Sequence, residues 1–191
     1  MRLLTKLFSA AVLFVPAVAF AHPGNDASGA FAGLSHPLTG IDHLLAMLAV
    51  GLWAAQQKGN LRWALPVTFV AMMLAGGWFG FQTPDIPYLE TGIATSVLAL
   101  GLLVAVALRP PVWLAVTMTA LFAMAHGVAH GLELPTLASP WAYTTGFVCA
   151  TAALHALGYA AARALPQAAA PLVRLAGMLS AAAGVWLLAG A

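Results

Sequence analysis

Charge is what this sequence has least of: seven Lys or Arg and five Asp or Glu amount to 6% of 191 residues, against roughly one-quarter in soluble domains. That deficit excludes a domain folded in water, and a mean hydropathy of +0.94 excludes it again. Cysteine is nearly absent. The lone Cys149 rules out an intramolecular disulfide framework and a thiolate-rich metal site, and its place in an apolar run predicts a small buried hydrophobe. No basic patch and no glycine-rich phosphate motif occurs, so nucleic acid and nucleotides have no footing as partners. The formal net charge of +2 rests on few groups and informs topology rather than binding. What the chain does have is apolar residue, 62% of the total. It comes in runs of about 20, the length that crosses a ~30 Å hydrocarbon core. Backbone groups in such a core must be paired within the segment, and runs of this length do that as helices rather than as barrel strands. The expected fold is all-α, a single polytopic membrane helix bundle.

Residues 1–21 carry Arg2 and Lys6, then an apolar stretch from Leu7 to Phe20, then the small-residue site Ala19-Phe20-Ala21. That is the pattern of a cleaved secretory signal. Removal after Ala21 leaves His22 as the new amino terminus, where α-amine and imidazole can share one metal ion. Pro23, Gly24, Asn25, Asp26 and Ser28 punctuate the next stretch, so residues 22–37 read as a polar, mobile periplasmic segment. Six membrane helices are expected after it, at about 38–57, 62–82, 89–108, 112–131, 141–163 and 171–190. The basic residues Lys58, Arg62, Arg109, Arg163 and Arg174 fall in alternate connections, and the acids Asp85, Glu90 and Glu133 in the others. By the positive-inside rule the basic connections are cytoplasmic. Both mature termini are then periplasmic, and the chain is a multi-pass protein of a bacterial inner membrane, with lipid around it.

Small residues four apart, Gly76 with Gly80 and Gly127 with Gly131, predict close backbone approach between helices; such faces also permit a homo-oligomer. Trp53, Trp63, Trp78, Trp113, Trp141 and Trp186 lie near predicted helix ends and are expected to anchor at the membrane interface.

Ionisable groups inside a bilayer are costly unless paired or hydrated, which makes each one a functional candidate. Asp42 and His43 stand at the outer end of the first predicted span, with His36 just before it, and His126 and His130 stand toward the outer end of the fourth. Spacing of i, i+4 stacks the last two imidazoles on one helix face, where both can bind one ion. The two spans run in opposite directions, so Asp42, His43, His126 and His130 all fall within about 10 Å of the outer surface. Three imidazoles and a carboxylate suit a divalent ion of borderline softness, such as nickel, cobalt or zinc. Other residues hold weaker places. Glu133 is either a partner of the site or a solvated loop acid. His36, before Pro37 in an extended or turn conformation, joins the site or guards its mouth. Met47, four residues after His43, is a core methionine or a soft ligand. His155, deep in the fifth predicted span, is an inner relay for a moving ion or a satisfied core histidine.

The residues His36-Pro37, Gly40, Asp42-His43, Met47 and Gly51 form the pattern HPxxGxDHxxxMxxxG, and in this the chain resembles the HupE/UreJ family of small bacterial membrane proteins. The resemblance extends to the signal followed by histidine, the six-helix layout, and His126-Gly127 with His130-Gly131. It implies uptake of nickel or cobalt, with His36, Asp42 and His43 as functional positions, and an association with hydrogenase or urease maturation proteins. Spacing alone reaches a divalent metal site; nickel and transport come from the resemblance. Two other classes fit the same residues. One is an intramembrane zinc-dependent lipid hydrolase, in which histidines hold zinc and a carboxylate positions water; the stretch 126–130 lacks the glutamate of HExxH. The other is a non-transporting, metal-binding accessory protein. The expected protein is a permease, not an enzyme.

Overall fold

The computed structural model describes residues 27–83, 86–133 and 139–191. The signal sequence, His22 and Asp85 lie outside the described residues. Among the described residues the chain is helical with no strand: α1 (Ala27–Thr39), α2 (Ile41–Gln56), α3 (Leu61–Phe81), α4 (Leu89–Ala105), α5 (Val112–Leu132), α6 (Pro140–Ala164) and α7 (Ala170–Leu188), the last entered through a short 3-10 turn. Helices α3, α5, α6 and α7 are long and apolar enough to cross a membrane. The pair α1 and α2, bent by 81° at Gly40, forms a fifth span only if counted as one. The expected third span is the 17-residue α4, about 25 Å long at 1.5 Å per residue and so short of a full core thickness. Among the described residues the expected count of six therefore resolves into four helices long enough to span, one broken pair and one short apolar helix.

Glycine decides which helices touch. Helix α3 packs chiefly on α5, α4 on α7, and α1 and α2 on α6. A methyl group at Gly76 or Gly80 would run into the backbone carbonyls of Met124 or Val128, and one at Gly127 or Gly131 into those of Met73 or Gly77. The two expected glycine pairs thus face each other, and they are consumed within the chain rather than offered to a second copy. Lipid tails are as apolar as leucine, so such backbone approach and its dispersion contacts drive the pairing. The same device joins α4 to α7 at Gly101 and Gly177, and α2 to α6 at Gly51 and Gly158.

Three expectations need correction. The segment expected as a polar loop, with His36-Pro37 extended or in a turn, is largely the helix α1. Proline disfavours helical geometry in the residue before it, but Gly33 and Gly146 let α1 lie backbone to backbone on α6, and that packing prevails. Pro37 sits in the last turn, so only the end of the helix bears the hydrogen bond it cannot make, and Thr39 Oγ1 donates to the His36 carbonyl at 2.8 Å. Trp53 is not an interfacial anchor. It is fully buried and its indole donates to the Leu108 carbonyl at 2.9 Å, bracing the α2 end against the α4–α5 connection. The other five tryptophans are exposed near helix ends. Cys149 is exposed, because α6 buries Gly146, Phe147, Ala150, Thr151, Leu154 and His155 and this residue lies on the opposite side. In a bilayer the outward face is apolar too, so hydrophobicity alone does not tell inside from outside.

Candidate metal centre

The bend at Gly40 brings the first pair of groups together. Without a side chain there, the Asp42 carboxylate folds back over the start of α2; a Cβ on Gly40 would stand 2.8 Å from Asp42 Oδ1. That oxygen accepts from both the backbone N–H and Nδ1 of His43, each at 2.7 Å. A carboxylate can only accept, so Nδ1 carries the proton. His43 Nε2 keeps its lone pair, and it is buried with no partner in the protein.

Helix α5 supplies the second pair, for which i, i+4 spacing stacks two rings on the buried face. His126 is fully buried, and its Nε2 lies 2.7 Å from Ser96 Oγ on α4. Ser96 spends its own proton on the Ile93 carbonyl, also at 2.7 Å. Its oxygen is therefore the acceptor, Nε2 is protonated, and Nδ1 is the free lone pair, again without a partner. His130, one turn on, is 3% exposed, has neither ring nitrogen bonded, and lies against Phe147 with ring centroids 3.8 Å apart. Helix α1 adds His36, whose Nε2 donates to Glu133 Oε2 at 2.9 Å. This hydrogen bond from His36 holds the Glu133 carboxyl below the usual carboxylate range.

The four rings are contiguous. Centroid separations are 4.7 Å for His36–His130, 4.4 Å for His43–His130, 4.7 Å for His43–His126 and 5.9 Å for His36–His43. Imidazoles bound to one ion through nitrogens about 2.1 Å away have centroids roughly 4.5–5.5 Å apart, so three of the four ring separations lie near that range. His36, His130 and Glu133 already place ligand atoms within 4.8 Å of one another. Each buried nitrogen left unbonded costs about 1–3 kcal/mol, and a protein that carries several side by side has a use for them. Partners that fix a tautomer and aim a lone pair are what metal-binding histidines require.

Of the residues singled out from sequence, His36, Asp42, His43, His126, His130 and Glu133 meet here. Met47 and His155 do not. Met47 is fully buried one turn below His43 and accepts from Thr151 Oγ1 at 3.4 Å; His155 is buried further along α6. Sequence reasoning missed Ser96, which fixes His126, and Tyr143, a buried tyrosine with an unbonded hydroxyl whose ring lies 6.1 Å from that of His36. It also took Glu90 only as a marker of topology. Asp42 and Glu90 line a cavity of about 400 Å³, which of the cluster's own residues only Asp42 reaches. Ser96→Ala should cost about tenfold in metal affinity without unfolding the protein. Titration of the purified variant with nickel(II) checks this; unchanged affinity would mean that Ser96 does not set the ring of His126.

Fold and cluster together define a polytopic helical membrane protein with an imidazole-lined interior at one end. The chain belongs to the HupE/UreJ family: the family model described as HupE / UreJ protein matches residues 10–187. Protein HupE of Rhizobium leguminosarum bv. viciae is 42% identical over 181 residues, which cover 94% of this chain and 95% of that relative. No solved structure matches.

Proposed function

We propose that the protein is a permease for a divalent transition-metal ion, nickel or cobalt, which it captures from the periplasm and passes inward through a bacterial inner membrane. The carrying observation is the set of imidazoles from two helices, α2 and α5, with unbonded, buried nitrogens at His43, His126 and His130. Imidazole nitrogen without thiolate suits ions of borderline softness. Orientation follows from charge. The cluster shares its end of the bundle with Glu90 and Glu133, whereas Lys58, Arg62, Arg109, Arg163 and Arg174 occupy the connections or helix termini at the other end, the cytoplasmic end by the positive-inside rule. A cleaved signal over residues 1–21 agrees with that orientation, and His22 behind it would be a further capture group. Family likeness supports nickel or cobalt as the ion and delivery to hydrogenase or urease maturation proteins.

In this reading the acids at this end of the bundle, Asp42, Glu90 and Glu133, attract the hydrated cation. His36 and His130 meet it first, and His43 and His126 replace water with nitrogen as it moves inward. Asp42 acts through His43, holding the ring and making its nitrogen a better donor. A lipid hydrolase is the poorer fit. The two carboxylates that touch the imidazoles each accept a ring N–H, Asp42 from His43 and Glu133 from His36, the arrangement that orients a ligand histidine.

Proteoliposomes holding the purified protein should take up nickel(II) and cobalt(II) saturably, and Asp42→Asn should lose most of that uptake. The amide cannot hold the Nδ1 proton as a carboxylate does. Stoichiometric binding without flux in the wild type would reject the permease reading in favour of an accessory role.

A further inference from the structure

Beneath the imidazole cluster the bundle holds a second polar group that the outer site does not use. One turn inward, Thr151 Oγ1 on α6 is fully buried between two thioethers, 3.4 Å from Met47 Sδ on α2 and 3.8 Å from Met73 Sδ on α3. One turn further along the same face of α6 is His155, 3% exposed, with neither ring nitrogen bonded. A core histidine kept for packing alone would bond at least one nitrogen to a carbonyl or hydroxyl. Phe69, fully buried on α3, touches both levels: its ring centroid lies 5.9 Å from that of His126 and 5.1 Å from that of His155. Beyond His155 a groove of about 580 Å³, lined also by Arg62 and Tyr159, continues toward the basic end of the bundle.

We propose that His155, with Thr151, Met47 and Met73 above it, is a second and weaker binding site for the same divalent transition-metal ion, separated from the outer cluster by the ring of Phe69. The inference rests on the permease reading for its direction of travel but not for its chemistry. One imidazole, one hydroxyl and two thioethers form a neutral donor set. Such a set binds a borderline dication less tightly than several imidazoles with carboxylate partners do. Weak binding at an inner station favours release, as conduction requires. Phe69 fills the space between the stations with an apolar ring, so an ion passes only when that ring moves aside.

Two experiments on the full chain test this, with cobalt(II) as the probe. In proteoliposomes, His155→Ala and the closer-sized His155→Gln should each lower cobalt uptake at least tenfold. Cobalt affinity of the outer cluster, titrated in detergent, should stay within twofold of wild type. Retained outer binding shows that the fold is intact and separates loss of a station from loss of structure. Uptake at the wild-type rate in both variants would overturn the proposal. The second experiment needs no transport. In a His43→Ala/His130→Ala background, millimolar cobalt should still bind at one site, and adding His155→Gln should remove it. Residual binding that persists, or none to remove, overturns the inner site even if the permease reading stands. Absence of wild-type flux with His155-dependent binding present would overturn the permease reading and leave the inner site standing.

Discussion

His43→Ala is expected to abolish nickel and cobalt uptake while the protein still folds and reaches the membrane. Its ring is the hub of the cluster, in contact with those of His36, His126 and His130, and no neighbouring side chain can replace its nitrogen. Loss of a direct ligand should exceed the roughly 10–100-fold that loss of a ligand's hydrogen-bond partner costs in affinity. The fold should tolerate the change, because the substitution removes a buried nitrogen that already lacked a partner. That relief offsets part of the cavity left behind. His130→Ala should behave in the same way. Uptake in proteoliposomes, read beside the elution profile of the purified variants, is the measurement. Near-normal uptake in both would sink the idea of a shared site.

Gly127→Ala is expected to have the largest effect on stability, and Gly92→Ala is its control. Alanine is worth about 1 kcal/mol over glycine in a helix interior, so propensity favours both substitutions equally. At Gly92 the nearest atom to a new methyl group is Ala125 Cβ at 4.0 Å, an ordinary contact. At Gly127 the methyl group would fall on the Met73 carbonyl. Backbone cannot rotate away as a side chain can, so α3 and α5 must part. The cost should lie at or above the upper end of the ~1–3 kcal/mol typical of overpacking, lowering the thermal midpoint by about 5 °C or more. Gly92→Ala should hold its midpoint or gain slightly. Because His126 and His130 ride on α5, Gly127→Ala should also lose uptake at temperatures where it remains folded. Equal midpoints for the two variants would show that the α3–α5 contact is not held by backbone approach.

What could be read from the sequence had a physical period or a physical penalty behind it. Apolar runs gave the helices, and small residues four apart gave the α3–α5 contact. The cost of placing ionisable groups in lipid pointed to His43, His126 and His130. Ser96 was not legible, because a serine in an apolar helix looks the same whether it bonds its own backbone or a histidine 30 residues away. The helix α1 was hidden for a related reason. Its stability comes from Gly33 and Gly146 across the α1–α6 contact, while its local residues, Ser28, Pro37 and several glycines, signal turns. Trp53 misled in the opposite direction. Nearness to a helix end suggested an interface, but the end of α2 is roofed by the α4–α5 connection whose Leu108 carbonyl it binds.

The glycine contacts divide the bundle into stiff couples: α3 with α5, α4 with α7, and α1–α2 with α6. Within a couple the backbones are keyed together, so the soft coordinates of the molecule are the seams between couples. The histidines straddle those seams. His36 and His43 belong to one couple, His126 and His130 to the second, and Ser96, which steadies His126, to the third. A slide of a fraction of an ångström between couples would breach no keyed contact, yet it would open or tighten every ring-to-ring gap in the cluster at once. The grip on an ion is therefore a property of how three rigid bodies are registered against one another, and the membrane that squeezes them together is part of the instrument.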